Sequence, residues 1–281
     1  MKTALSLMAA TAFSGSALFW AGAAVATDTV IHAGTMIDTQ AGATQSDRYI
    51  LIDNGKVEAV LSAADYRRRD LDVPLIDLSD MVVLPGLADA HVHMTSDAKV
   101  HGYNRLTRSS QRAAITGVRN AERTLEAGFT TVRNLGAPEF ADVALRDAIT
   151  DGDVPGPRII PAGRSIGITG GHCDNNLLPY AYKAVGGGVA DGPWAVRAKV
   201  RENKKYGAEV IKFCGTGGVL SKGTTIGAQQ FTFDEMQAIV DEAHQLGMKV
   251  AVHAHGERGI NTAIKAGVDS VEHASMISDE G

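Results

Sequence analysis

Cysteine is nearly absent from this chain: its 281 residues hold two, Cys173 and Cys214. Two thiols so far apart do not make a zinc ribbon. In an oxidising compartment they could pair, because Cys214 ends an apolar strand pattern and Cys173 lies in a glycine-rich loop. Basic runs are missing too, and the net charge is -5, so nothing points to a nucleic-acid partner. The chain also lacks an unbroken apolar run at its start, where Ser14, Gly15 and Ser16 interrupt the hydrophobic residues. An uncleaved membrane anchor is the alternative, and the interruption favours a cleaved export signal. Lys2 is the positive end, 5–12 and 17–25 are apolar, and Ala24-Val25-Ala26 is a small-x-small cleavage site before Thr27. The expectation is a signal peptide over 1–26, a secreted or periplasmic product, and no stable membrane insertion after cleavage.

What is present is an ordinary globular composition, 44% apolar and 21% charged, with glycine in excess at 31 residues. Residues 29–38 and 49–60 read as strands, the second folding back through Asp53-Asn54-Gly55, a strong hairpin signal. A short strand at 75–78 completes a small β domain over 27–80. His32 lies in it, with a structural or surface role.

From Met81 onward, apolar strands, glycine-rich loops and helical patterns alternate. Strands are predicted at 82–88, 130–134, 158–162, 210–214, 249–254 and 270–273. Helices are predicted at 112–127, 138–149, 194–206, 232–246 and 256–266, the fourth opening on the capping box of Thr232 and Glu235. Repeated strand–helix units predict an α/β fold with a parallel sheet, and the (β/α)8 TIM-like barrel is the common closed solution. About six of eight units are countable, so the expectation for 81–281 is an incomplete, truncated barrel.

Polar groups fall at the ends of these strands: His91, His93, Lys212, His253 and His273. In barrels of this kind that face carries the site. His91 and His93 share one face of their strand, as do His253 and His255, so either member of the second pair could be a ligand. Several imidazoles on one barrel mouth point to a metal centre. Lys212 inside an apolar strand is costly unless paired or neutralised. Three roles stay open for it: an ordinary ion pair, a Schiff-base amine, and a metal ligand after carboxylation by CO2.

Several motifs occur together and in order: Leu84-Pro85-Gly86-Leu87-Ala88-Asp89-Ala90-His91-Val92-His93, Thr169-Gly170-Gly171-His172, Val210-Ile211-Lys212 with Gly217-Gly218-Val219, Val252-His253-Ala254-His255-Gly256, and Ala266-Gly267-Val268-Asp269-Ser270-Val271-Glu272-His273. With these the chain resembles the metal-dependent amidohydrolase superfamily, in its Xaa-Pro dipeptidase-like and imidazolonepropionase-related branch. The resemblance implies two divalent metal ions, zinc by the family's habit. His91 and His93 would bind the first, N6-carboxylated Lys212 would bridge, and His253 and His273 would bind the second. His255 would then support the ligands or meet substrate, and His172 would contact substrate or the oxyanion.

The implied reaction is attack of a metal-activated hydroxide on the amide of a dipeptide or N-acyl amino acid, a small-molecule substrate. Hydrolysis of a cyclic amide and deamination of a ring are the alternatives, and the bridging lysine argues for the dipeptidase side. The family's proton-carrying aspartate at strand 8 has no matching position here, so a non-catalytic truncated fragment is a third reading. These residues leave a homo-oligomer open.

Overall fold

The structure is a computed structural model that describes residues 27–281. The export signal read in 1–26 lies outside the described residues. Among the described residues no helix is long and apolar enough to cross a membrane. The chain divides into two compact units after Pro85.

The first unit is a four-stranded sheet ordered β3-β2-β1-β4, built from β1 (Thr29–Asp38), β2 (Ala43–Asp53), β3 (Lys56–Ser62) and β4 (Leu75–Val83). The β2–β3 hairpin turns on Asn54 and Gly55, both at positive φ (47° and 70°), the backbone an Asn-Gly turn supplies at little steric cost. A short helix, α1 (Ala63–Arg67), follows β3. His32 is pinned rather than free: its ring bonds Asp47 at 2.8 Å and stacks on Tyr49.

The largest departure from the sequence reading is at 82–88. Residues 82–88 are not one strand. Val82 and Val83 end β4, paired with Thr35 and Met36 of β1, and the next strand, β5 (Leu87–Val92), starts beyond a break. Pro85 lacks the N–H a ladder needs, and Gly86 lies so close to the Thr130 side chain that no Cβ fits.

The second unit alternates strand and helix. Its strands are β5, β6 (Phe129–Asn134), β7 (Arg158–Pro161), β8 (Val210–Cys214), β9 (Lys249–Gly256) and β10 (Ser270–Met276). The helices are α2 (Ser110–Glu126), α3 (Ala141–Thr150), α4 (Pro193–Lys205), α5 (Phe233–Gln245) and α6 (Glu257–Ala266). All the strand pairings here are parallel, in two three-stranded sheets, β5-β6-β7 and β8-β9-β10. Loop residue Ile166 bridges to Phe213 and exchanges hydrogen bonds with Lys212 and Cys214, lying along β8 between the sheets. Among the described residues the six countable strands stand as an α/β array of parallel strands that forms no closed barrel. The predicted helix at 138–149 starts late, at Ala141. Glu139 and Phe140 take left-handed φ (45° and 62°), and the Phe140 ring is drawn against Tyr206.

Packing explains the order. On α5, Met236, Ile239, Val240 and Ala243 repeat at helical spacing and are buried against Phe213, Val250 and Val252. Met236, Ile239 and Val240 each contribute roughly 1.5–3 kcal/mol by burial. The α5 start is fixed by its capping box: Glu235 N–H donates to Thr232 Oγ1 at 3.3 Å and Thr232 N–H to Glu235 Oε2 at 2.8 Å. Thr232→Ala is expected to lower unfolding stability by about 1 kcal/mol. An unchanged urea midpoint would show that packing alone holds this helix end.

Candidate metal centre

Parallel strands bring the sequence-predicted residues to one end of the second unit. His91 is the fifth residue of β5, and His93 follows just beyond the strand. Lys212 is central in β8, a strand whose every residue is buried. His253 and His255 sit on β9, and β10 carries His273. His172 comes from the loop after β7.

The imidazoles form a connected array. The His91 ring lies 5.4 Å from His93 and 5.0 Å from His273, centroid to centroid. His273 is 4.6 Å from His253 and 4.9 Å from His255. His172 stacks on His253 at 4.1 Å. One ligand atom from each of His253, His255 and His273 lies within 4.8 Å of the others. The sequence reading favoured His253 over His255 as ligand, and the structure holds both beside His273.

Backbone irregularity aims His273. The β9–β10 register slips between His273 and Met276, and His273 and Ala274 both take positive φ, 73° and 46°. A slip of this kind re-aims a side chain at a strand's end, and left-handed backbone at two consecutive non-glycine residues costs energy.

Burial and neighbouring charge keep the histidines neutral. Burial, then the neighbouring Lys212, pushes His172 down to about 4. Burial, then His172 and Lys212, pushes His253 to about 2, and burial with His91 and Lys212 holds His273 at about 4. The Lys212 amine is pushed down to about 8 by burial, with Arg133 adding to the effect and Glu272 opposing it. Lys212 Nζ, His253 Nε2 and His172 Nδ1 are buried without a hydrogen-bond partner. Neutral, buried imidazole nitrogens without a partner are what a cation needs, so the histidines fit a divalent metal.

The surrounding contacts fix ring orientations. His93 Nδ1 lies 3.2 Å from the Gly136 carbonyl, and His255 Nδ1 lies 2.9 Å from Ser275 Oγ. Because a carbonyl only accepts, His93 carries its proton on Nδ1 and leaves Nε2 free. Gly218 faces His172 and His253; a Cβ there would lie 2.7 Å from His253 Nε2. Cys173 and Cys214 are joined by a disulfide. It ties the residue after His172 to the end of the strand bearing Lys212.

Sequence reasoning missed Glu272 and Arg133. Glu272 was in plain view beside His273, and Arg133 was a charge inside an apolar strand. The anomaly that singled out Lys212 applied equally to Arg133.

The sequence model of the amidohydrolase family matches residues 82–280. Ochratoxinase of Aspergillus niger is 34% identical over 271 residues, covering 90% of this chain and 55% of its own. Imidazolonepropionase of Fusobacterium nucleatum is 25% identical over 259 residues, 84% of this chain and 60% of its own. A crystal structure of a Xaa-Pro dipeptidase with bound methionine in the active site superposes with a TM-score of 0.79 at 39% identity, over 90% of this chain and 63% of that one. The chain thus spans little more than half the length of the curated relatives it matches.

The depressed histidines set a pH dependence. Unfolded, His172 and His273 titrate near 6.5; folded, near 4. Between these values the unfolded chain binds more protons, so metal-free stability should fall as pH drops from about 6.5 to about 4. His172→Gln should flatten that slope in urea unfolding, and an unaltered slope would show that His172 is not held neutral.

Proposed function

The chain belongs to the amidohydrolase family, and on that footing we propose that it is an exported, metal-dependent amidohydrolase acting on the amide bond of a dipeptide or an N-acyl amino acid. The observation that carries the reading is Lys212. Its amine is 3% exposed, has no partner, and is held at about 8 beside an array of neutral histidines. An ordinary ion-pair lysine would have a carboxylate within bonding distance. The similarity to a Xaa-Pro dipeptidase and to ochratoxinase supports amide-bond chemistry. The parallel strand–helix units, with polar side chains gathered at one end, support a (β/α)8 wall.

In this reading His91 and His93 hold one divalent ion, His253 and His273 the second, and carboxylated Lys212 bridges. Carboxylation needs a neutral amine. The Nζ lone pair bonds the carbon of CO2 and one N–H proton leaves to solvent, so an amine pushed down to about 8 is suited to it. Two zinc ions, when bound, would supply Lewis acidity toward the scissile carbonyl and a water of lowered pKa. The chain's own part is to keep imidazole lone pairs unprotonated, to exclude bulk water from Lys212, and to present His172 and His255 at the rim of the array for substrate. Hydrolysis of a cyclic amide is the second reading, favoured by the similarity to imidazolonepropionase; the buried lysine supports the first. The Cys173–Cys214 disulfide supports an oxidising destination, secreted or periplasmic.

The test is zinc stoichiometry with carbonate present, followed by a hydrolysis panel of Xaa-Pro and other dipeptides and N-acyl amino acids. Lys212→Ala is expected to lose the bridged pair of ions, and His253→Asn to lower metal content far more than His255→Asn. Two ions retained by Lys212→Ala would sink the carboxylated bridge. The opposite order of the histidine variants would move the ligand role to His255.

A further inference from the structure

Beside the histidine array, a second set of polar side chains closes on itself. Glu272 on β10 is 7% exposed. Its Oε2 lies 2.7 Å from His91 Nδ1, and its Oε1 accepts from the Arg133 guanidinium at 2.7 Å and from Ser270 Oγ at 2.8 Å. Arg133 on β6 also donates to Ser270 Oγ at 3.0 Å and, through Nε, to the Ala90 carbonyl of β5 at 2.7 Å. Three strands are joined by one carboxylate and one guanidinium.

A buried carboxylate has to be paired, and Arg133 alone would meet that need. The other oxygen goes instead to a histidine of the array. A carboxylate only accepts, and Glu272 sits in an ion pair with the Arg133 guanidinium at 2.7 Å with Ser270 Oγ donating to the same oxygen, the surroundings of a carboxylate. His91 Nδ1 must therefore carry the proton, leaving Nε2 as its one lone pair. His93 gets the same instruction from a neutral carbonyl, and His255 faces a hydroxyl that can donate or accept.

We propose that Glu272, clamped by Arg133 and Ser270, is a positioning residue that locks His91 in the Nδ1–H tautomer and turns its Nε2 toward the bound cation. The proposal deepens the metal-binding reading and rests on it for its consequence, though not for the tautomer. Arg133 and Ser270 both donate to the same Glu272 oxygen, so in Glu272→Gln they hold the amide oxygen there and direct the NH2 at His91. His91 Nδ1 must then accept, and its proton moves to Nε2, the atom the cation needs.

The experiment is long-range 1H–15N correlation of the imidazoles in the metal-free full chain, paired with zinc titration. In the unsubstituted protein His91 is expected as Nδ1–H. Glu272→Gln is expected to show Nε2–H, with zinc affinity lowered by about tenfold or more. A role confined to stability would move the unfolding midpoint and leave the tautomer alone. Nε2–H in the unsubstituted protein overturns the proposal without need of any variant. So does Glu272→Gln with Nδ1–H and undiminished zinc affinity. Nδ1–H in an unsubstituted protein that binds no zinc overturns the metal reading and leaves the Glu272–His91 lock standing.

Discussion

Lys212 places an amine in a strand where every residue is buried, and no group within bonding distance receives it. Removing an ammonium from water costs several kcal/mol. Burial moves the amine down to about 8, toward the range where it loses its proton, and the histidines nearby are moved down in the same way. Burial depresses each ring, and a proton on one makes protonation of the next harder, so His172, His253 and His273 are depressed together. The cluster is stable as a set of lone pairs and would be unstable as a set of cations. Much else follows from it: the glycine at 218 that gives the rings room, the irregular β10 that aims His273, and the disulfide that fixes the loop beside His172.

Much of this was legible in the sequence, because apolar periodicity reports burial directly. The strand Thr29–Asp38 and the strand Val210–Cys214 have the predicted bounds, and Thr232 caps α5 as its box implied. Reading failed where tertiary contacts override local pattern. Val82 and Val83 look continuous with Leu87, yet they pair with β1. Pro138 looks like a helix start, yet it opens only a short 3-10 turn: Glu139 and Phe140 leave helical space, with the Phe140 ring against Tyr206. Parallel pairing was legible from the alternation of strand and helix; the division into two three-stranded sheets was not, because periodicity says which face is buried and nothing about how a sheet's edges meet.

At the site the residues that could bind were easier to find than those that direct them. Histidine at strand ends announces itself by type. Glu272 and Arg133 are ordinary charges whose meaning comes from facing each other across strands far apart in sequence. His172 was identifiable from its glycines. Its stacking on His253 was not, since it depends on a loop held by Gln230 and by the Cys173–Cys214 link.

The left-handed backbone at His273 and Ala274 has a consequence for how affinity is divided between folding and binding. Each such residue costs on the order of 1–3 kcal/mol, and that cost is met when the second unit packs, before any ligand arrives. A chain that twisted β10 only on binding would subtract the same energy from every association. Here the irregularity is built in advance, so the histidines are already assembled, and overall stability rather than any association carries the expense. Substitutions that relax this turn would therefore make the protein harder to unfold and less able to hold what it was folded to receive.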